Sequence, residues 1–422
     1  MATTSPLSLD TNSMGLQSLQ TSQNLTTSLD NALNTSSSSA SSVQTQVQAL
    51  STTNPLDVLP ANPLASLPIG SSNSNPKSYL ANPTIQPDFN GDGKTDQVWA
   101  NLQTGQIIVR LMDGTKILQQ ASLGTYNLAT YTYELADFNG DGKTDFLLRN
   151  KTTGANTVVL MNGVNVAGVA NLTTLAPAWT PSIGDFNGDG KSDIFWHNTQ
   201  TGQNALWLMN GTQILSSNVL NTTSTALTPS IVDFDGNGKS DIFWRNATTG
   251  ANSVWFMNGT QATNYTLQSQ AAGWTYKFGD FNGDGKTDIL WTNSQTGQNQ
   301  IWDMNGIVVT QANLQTLSSD WTSSIVDFNG DGKTDIFWHN NKTGENTAWL
   351  MDGTTVSSQA FLPTTSTALT PYFGDFNGDG KTDIYWRNQQ TGADSIWTMN
   401  GTQETTTAVA KADQLNSQWY LG

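Results

Sequence analysis

The 422-residue chain has no cysteine, only two histidines and only three glutamates, Glu134, Glu345 and Glu404. Without cysteine there is no disulfide framework and no thiolate zinc or iron–sulfur site. With so few His and Glu, general acids, bases and nucleophiles are scarce. The two histidines, His197 and His339, occupy equivalent places in a repeat, three copies apart. Symmetric recurrence argues for binding over catalysis, because a catalytic constellation is singular; no catalytic residue is assigned. No stretch approaches the ~20 consecutive apolar residues that a membrane helix needs, so no transmembrane segment is expected.

Basic residues are also few. Seventeen Lys and Arg against 33 acids leave a formal charge of −16, which opposes the phosphate backbone and sets nucleic acid aside as a partner. The acidic excess is concentrated rather than spread. Twenty-one of the aspartates lie, three apiece, in seven copies of one nonapeptide, and seven divalent cations would bring the charge to −2.

Residues 1–76 are rich in Ser, Thr, Asn, Gln, Leu and Ala and carry no Lys or Arg, the first being Lys77. This composition predicts a disordered tail. Leu16, Leu19, Leu25, Leu29 and Leu33 leave a transient amphipathic helix open. The segment lacks the positively charged start and compact apolar core of a standard signal peptide.

Residues 77–422 form the second region, and from Asp88 onward the chain repeats itself. The nonapeptides begin at Asp88, Asp137, Asp185, Asp233, Asp280, Asp327 and Asp375, a period near 48, the size of one four-stranded propeller blade. One copy reads as Pro181–Phe186, the loop DFNGDGKSD, Ile194–Asn198, the turn TQTG, Asn204–Met209, the hairpin signal Asn210-Gly211 and Thr212–Leu220. The expectation is an all-β, seven-bladed propeller of four-stranded antiparallel blades. All 15 Trp fall in register: six in the second strand (Trp99, Trp196, Trp244, Trp291, Trp338, Trp386), five in the third (Trp207, Trp255, Trp302, Trp349, Trp397) and four before the first (Trp179, Trp274, Trp321, Trp419). Large aromatics at fixed strand positions suit blade-on-blade packing, so most read as core. Trp419, Tyr420 and Leu421 stand where an eighth repeat would begin its first strand, so they are expected beside blade 1, near Pro83 to Pro87.

The nonapeptide Asp-Phe-Asn-Gly-Asp-Gly-Lys-(Thr/Ser)-Asp places oxygen side chains at positions 1, 3, 5 and 9, with a backbone carbonyl available at position 7. Glycine at position 6 permits a sharp turn, as in the first half of an EF-hand loop. The expected ligands are Asp88, Asn90, Asp92, Lys94 and Asp96 in loop 88–96, then Asp137, Asn139, Asp141, Lys143 and Asp145 in 137–145. Loop 185–193 offers Asp185, Asn187, Asp189, Lys191 and Asp193. Loop 233–241 exchanges two types, with Asp233, Asp235, Asn237, Lys239 and Asp241. Loops 280–288, 327–335 and 375–383 supply Asp280, Asn282, Asp284, Lys286 and Asp288; Asp327, Asn329, Asp331, Lys333 and Asp335; and Asp375, Asn377, Asp379, Lys381 and Asp383. All-oxygen ligation favours Ca2+, up to seven ions, over Zn2+ or Mg2+. The competing reading is seven metal-free turns, against which stands the repulsion among three carboxylates in a tight loop.

These motifs resemble the FG-GAP or VCBS repeat family over roughly residues 80–422. The resemblance implies a seven-bladed propeller similar to the integrin alpha-subunit head, with calcium in the hairpin between the first two strands of each blade. The FG-GAP tetrapeptide itself is absent, so an integrin-like ligand surface does not follow. Calcium-bound propeller lectins look closer, through the recurring Trp-(His/Arg)-Asn and Trp-x-Met-Asn-Gly.

In an antiparallel meander the calcium loops and Asn-Gly turns share one face. The Asn-x-x-Thr-Gly turns (Asn101, Asn150, Asn198, Asn246, Asn293, Asn340, Asn388) and the more varied blade-to-blade linkers share the other, where recognition can be built. There Trp179, Trp274 and Trp321 accompany His197, Thr292 and His339, while Tyr131, Leu227 and Leu369 accompany Arg149, Arg245 and Arg387. These partners are expected to touch diagonally across the hairpin. Packing compensation explains the pattern without a ligand; a glycan pocket using Trp179, His197, Asn198, Trp274, Trp321, His339 and Asn340 explains it with one. The functional expectation is a calcium-stabilised extracellular module that binds carbohydrate or acts in adhesion, its partners glycans or cell-surface and matrix components. An integrin-like protein-binding propeller and a polysaccharide-active enzyme are the alternatives.

Overall fold

The computed structural model describes residues 86–411 and 413–421. The tail, 1–76, lies outside them. Within the described residues there are 28 strands in seven four-stranded antiparallel sheets. Each is a blade, numbered in the order of the nonapeptides along the chain. No helix of the described residues is long and apolar enough to cross a membrane.

Blade 3 shows why the repeat folds this way. Its strands are Trp179–Gly184, Asp193–Asn198, Asn204–Asn210 and Gln213–Leu220. The second strand, DIFWHN, is buried at every residue, as befits a strand covered on both faces, while the fourth alternates exposed and half-buried at the rim. Asn210 pairs with Gln213, leaving a two-residue hairpin loop in which Gly211 takes φ 60°. That left-handed backbone is what the Asn-Gly signal anticipates. The four tryptophans read as preceding a first strand instead open it: Trp179, Trp274, Trp321 and Trp419 are each its first residue.

Closure uses both ends of the chain. Trp419–Leu421 takes the place of blade 1's first strand, with Trp99 opposite Leu421, Ala100 opposite Tyr420 and Asn101 opposite Trp419. Three strands from the start of the repeat region and one from its end therefore make a single sheet.

The core is distributed between blades. In blades 3 to 7 the second- and third-strand tryptophans meet at steep angles, for example Trp196 and Trp207 at 5.1 Å and Trp386 and Trp397 at 5.0 Å between ring centroids. Each pair packs against the preceding blade: Trp196 and Trp207 lie with Phe138, Leu147 and Val158 of blade 2.

Candidate functional site

Each nonapeptide curls between the first and second strands of its blade. In loop 137–145 the Asp137 carboxylate accepts hydrogen bonds from the backbone N–H groups of Gly140, Asp141 and Gly142 at 2.7, 3.2 and 2.8 Å. Asn139 Oδ1 accepts from the Asp141 N–H at 3.0 Å, and Asp141 Oδ1 from the Lys143 N–H at 3.0 Å. Gly140 and Gly142 hold φ at 73° and 80°, which is why glycine stands at positions 4 and 6. Asp145 does something the sequence pattern did not disclose. Its Oδ2 accepts from Phe138 N–H at 3.0 Å and its Oδ1 from Met161 N–H at 2.8 Å, so it clamps the loop to the third strand.

Burial opposes ionisation of these groups. It pushes Asp96, Asp145, Asp193, Asp335 and Asp383 up to about 7, and Asp241 and Asp288 up to about 8. The position-1 aspartates Asp137, Asp185 and Asp233 are raised for the same reason, Asp233 to about 6. In the fourth loop, carboxylate oxygens of Asp233, Asp235 and Asp241 lie within 4.8 Å of one another. A carboxylate oxygen bonded to one N–H keeps a further lone pair. In three loops the position-7 lysine pairs with the position-5 aspartate, Lys191 with Asp189, Lys286 with Asp284 and Lys381 with Asp379 at 3.7, 2.9 and 3.6 Å. The donor set is all oxygen and partly buried, and it fits a hard cation such as Ca2+.

The same loops join the blades. At position 8, Ser192 donates its N–H to the Asp137 carbonyl at 2.7 Å and its Oγ accepts from Asp137 N–H at 3.1 Å. Thr144, Ser240, Thr287, Thr334 and Thr382 likewise donate their N–H to the first aspartate of the preceding loop, and Thr95 donates to Asp375 across the closure. The glycine of each hairpin adds one more bond, as Gly211 N–H does to the Phe138 carbonyl at 2.7 Å. The position-7 lysines Lys94, Lys143, Lys239 and Lys333 bond the Asp or Asn of their own blade's hairpin, so loops and Asn-Gly turns share a face. Position 8 is Thr or Ser in every copy; that uniformity was the available signal for a cross-blade role.

The opposite face departs from the expected diagonal contact. Trp179 pairs with Asn198, and Thr180 with His197, so Trp179 and His197 point to opposite sides of blade 3. Trp179 packs towards blade 2. His197 packs on Trp244 of blade 4 at 5.4 Å, and His339 on Trp386 of blade 7 at 5.6 Å. Their Nδ1 atoms bond Asn204 and Asn346 Oδ1 at 2.7 Å. Asn198 and Asn340 are buried, each Oδ1 accepting from two backbone N–H groups of the adjacent turn. The arginines do the same work: Arg149, Arg245 and Arg387 lie over Trp196, Trp291 and Trp99 of the next blade at 5.0, 4.5 and 4.5 Å. The sequence covariation thus belongs to neighbouring blades. An arginine faces a blade opening with Trp179, Trp274 or Trp419, and a histidine faces one with Leu227 just before its first strand or Leu369 at its start.

Two cavities adjoin Trp321. One, of about 250 Å³, lies between blades 5 and 6 and includes Thr292, Asn299, Trp321 and Trp338. The other, of about 140 Å³, is bounded by Gln315, Leu317, Trp321, Thr347, Trp349, Gln359, Ala360 and Phe361.

The FG-GAP-like repeat matches at 88–148, 137–196, 185–244, 233–291, 280–338 and 327–386, each match running from one nonapeptide loop into the second strand of the next blade. The chain belongs to the FG-GAP-like repeat family. No curated protein matches this FG-GAP-like propeller. Among solved structures it is similar to a lectin of Agrocybe aegerita described as recognising non-reducing terminal N-acetylglucosamine, at 14% identity and a TM-score of 0.63, over 78% of this chain and 96% of the lectin. A dihydro-heme d1 dehydrogenase also matches, at 11% identity and a TM-score of 0.46, over 84% of this chain and 82% of that one. At 14% identity the likeness to the lectin concerns the fold of the FG-GAP-like propeller alone.

Proposed function

We propose that this propeller is a calcium-stabilised carbohydrate-binding module that works outside the cell. The observation that carries the reading is the cavity of about 140 Å³ beside Trp321. Phe361 stands 76% exposed at its edge, Trp321 is half-buried within it, and Gln315, Gln359 and Thr347 supply amide and hydroxyl groups. An apolar ring face with polar groups at its margin suits a sugar, which presents a C–H face and hydroxyl edges. The fold shared with a lectin supports the same reading.

Trp321 is the platform in this proposal, with Trp179 and Trp274 at equivalent positions on other blades. His197, Asn198, His339 and Asn340 line neither cavity beside Trp321; their hydrogen bonds hold the scaffold, and they are not contact residues in this proposal. Weak sites at these three platforms would gain avidity towards a multivalent glycan surface. Calcium occupies the loops and offsets the buried carboxylates, and millimolar extracellular Ca2+ fills sites of modest affinity. The test is a glycan array probed with calcium and with chelator, followed by titration of any positive monosaccharide. Binding that survives in both Trp321→Ala and Phe361→Ala would remove this site from consideration.

A further inference from the structure

Six blades carry a tryptophan in the second strand, and five of these rings are covered by a cationic or imidazole side chain from the preceding blade. Arg387 covers Trp99, Arg149 covers Trp196, His197 covers Trp244, Arg245 covers Trp291 and His339 covers Trp386. The sixth, Trp338, faces blade 5, whose corresponding residue is Thr292. Blade 6 opens with Trp321, and the other blades that open with tryptophan are faced by arginine. Thr292 thus stands where the pattern across blades calls for arginine, and the cavity of about 250 Å³ lies there.

What surrounds the cavity is the arginine's own set of partners. Arg245 donates to Asn252 Oδ1 at 3.0 Å and to the carbonyls of Gln270, Ala271 and Trp274 at 3.2, 3.0 and 3.2 Å. Arg387 uses Asp394, Leu415, Asn416 and Trp419 in the same way. The corresponding residues in blades 5 and 6 are Asn299, Leu317, Ser318 and Trp321, and all four line the cavity. Asn299 is only 2% exposed, both donors of its amide are used on the Gly297 and Gln315 carbonyls, and its Oδ1 has no partner among the described residues. A buried acceptor without a donor is unfavourable by roughly 1–3 kcal/mol, so the site gains from any group that brings one.

We propose that the cavity between blades 5 and 6 is a binding pocket for a guanidinium group carried on a flexible stem. The planar group lies against Trp338, donates to Asn299 Oδ1 and to the Leu317, Ser318 and Trp321 carbonyls, and its stem leaves between the exposed Ser294 and Ser319. Lys277 also lines the cavity, but its Nζ is held by the Ser323 carbonyl at 2.7 Å, and burial lowers its pKa. The proposal is independent of the glycan reading, which concerns the neighbouring cavity.

The test titrates the full chain, in calcium, with agmatine, with its diamine counterpart 1,4-diaminobutane, and with capped Gly-Arg-Gly and Gly-Lys-Gly, following tryptophan emission and melting temperature. Agmatine is expected to bind at least tenfold more tightly than the diamine. Asn299→Asp, which copies Asp394, should tighten it about tenfold, whereas a neutral ligand would gain nothing. Thr292→Arg should abolish binding and raise the melting temperature by supplying the missing side chain; Thr292→His provides a smaller filling group should the arginine variant fold poorly. Response to agmatine alone indicates a free alkylguanidine, and response to Gly-Arg-Gly as well indicates an arginine side chain of a partner. Silence towards both guanidinium probes, equal binding of the diamine, or unchanged binding in the filled variants would overturn the assignment.

Discussion

The two faces of the ring treat the same repeat differently. On the loop face the bonds recur with little variation: position 1 gathers backbone N–H groups, position 8 reaches the preceding loop, and position 9 ties loop to third strand. On the linker face the equivalent position is Ala100, Arg149, His197, Arg245, Thr292, His339 or Arg387. Each interface there reaches its own packing solution, and the one between blades 5 and 6 leaves a cavity. Where each bond also closes the ring, every copy serves the same demand. Where contacts are made pairwise, a copy can change as long as its neighbour changes with it.

The proposed calcium would make that contrast sharpest. If calcium fills the loops as proposed, chelation would act on seven sites at once, and each ligand bound only by the folded ring would contribute about 2.7 kcal/mol at a hundredfold excess over its Kd. A melting curve with Ca2+ and with chelator should therefore show a larger shift than any truncation or point substitution; an unchanged midpoint would remove calcium from the frame. Truncating residues 417–422 comes next, because it takes away the strand that pairs with Gln97–Asn101 and the Trp419 carbonyl that Arg387 and Gln389 bond. Deleting residues 1–76 should leave the melting temperature near that of the full chain, and equal losses from the two truncations would contradict closure by the C-terminal strand.

A single loop residue should weigh less. Asp193 is fully buried and accepts from Phe186 N–H at 3.0 Å and Met209 N–H at 2.8 Å, so Asp193→Ala strands two buried donors. At about 1–3 kcal/mol for each stranded group, the expected loss in denaturant unfolding is roughly 2–6 kcal/mol, and a loss under about 1 would deny the clamp its role. The smallest effect on stability is expected across the ring. Phe361→Ala, at a side chain 76% exposed, should alter unfolding by no more than about 0.5 kcal/mol while weakening glycan binding at least tenfold. A marked stability loss would make Phe361 part of the scaffold and erase the distinction between the faces.

Periodicity made the number of blades, the strand order within them and the seven loops legible, because these follow from local devices. Alternation sets strands, Asn-Gly sets hairpins, and glycines at positions 4 and 6 set the loop. The recurrence of Trp and of Ser/Thr at fixed places was equally visible, though not what each would touch. Trp179 and His197 change together with their counterparts in other repeats, and sequence alone read that as contact across a hairpin; adjacent strand positions face opposite ways, so the partners lie in different blades. Nothing in the order of residues distinguishes a neighbour within a blade from one in the next, since both recur with the same period. The place of Trp419–Leu421 beside blade 1 was legible from the repeat as well. Only the closed ring decided that Arg and His cover the following blade's tryptophan and that Thr292 leaves Asn299 without a donor, because those contacts depend on which sheet faces meet once every blade is in place.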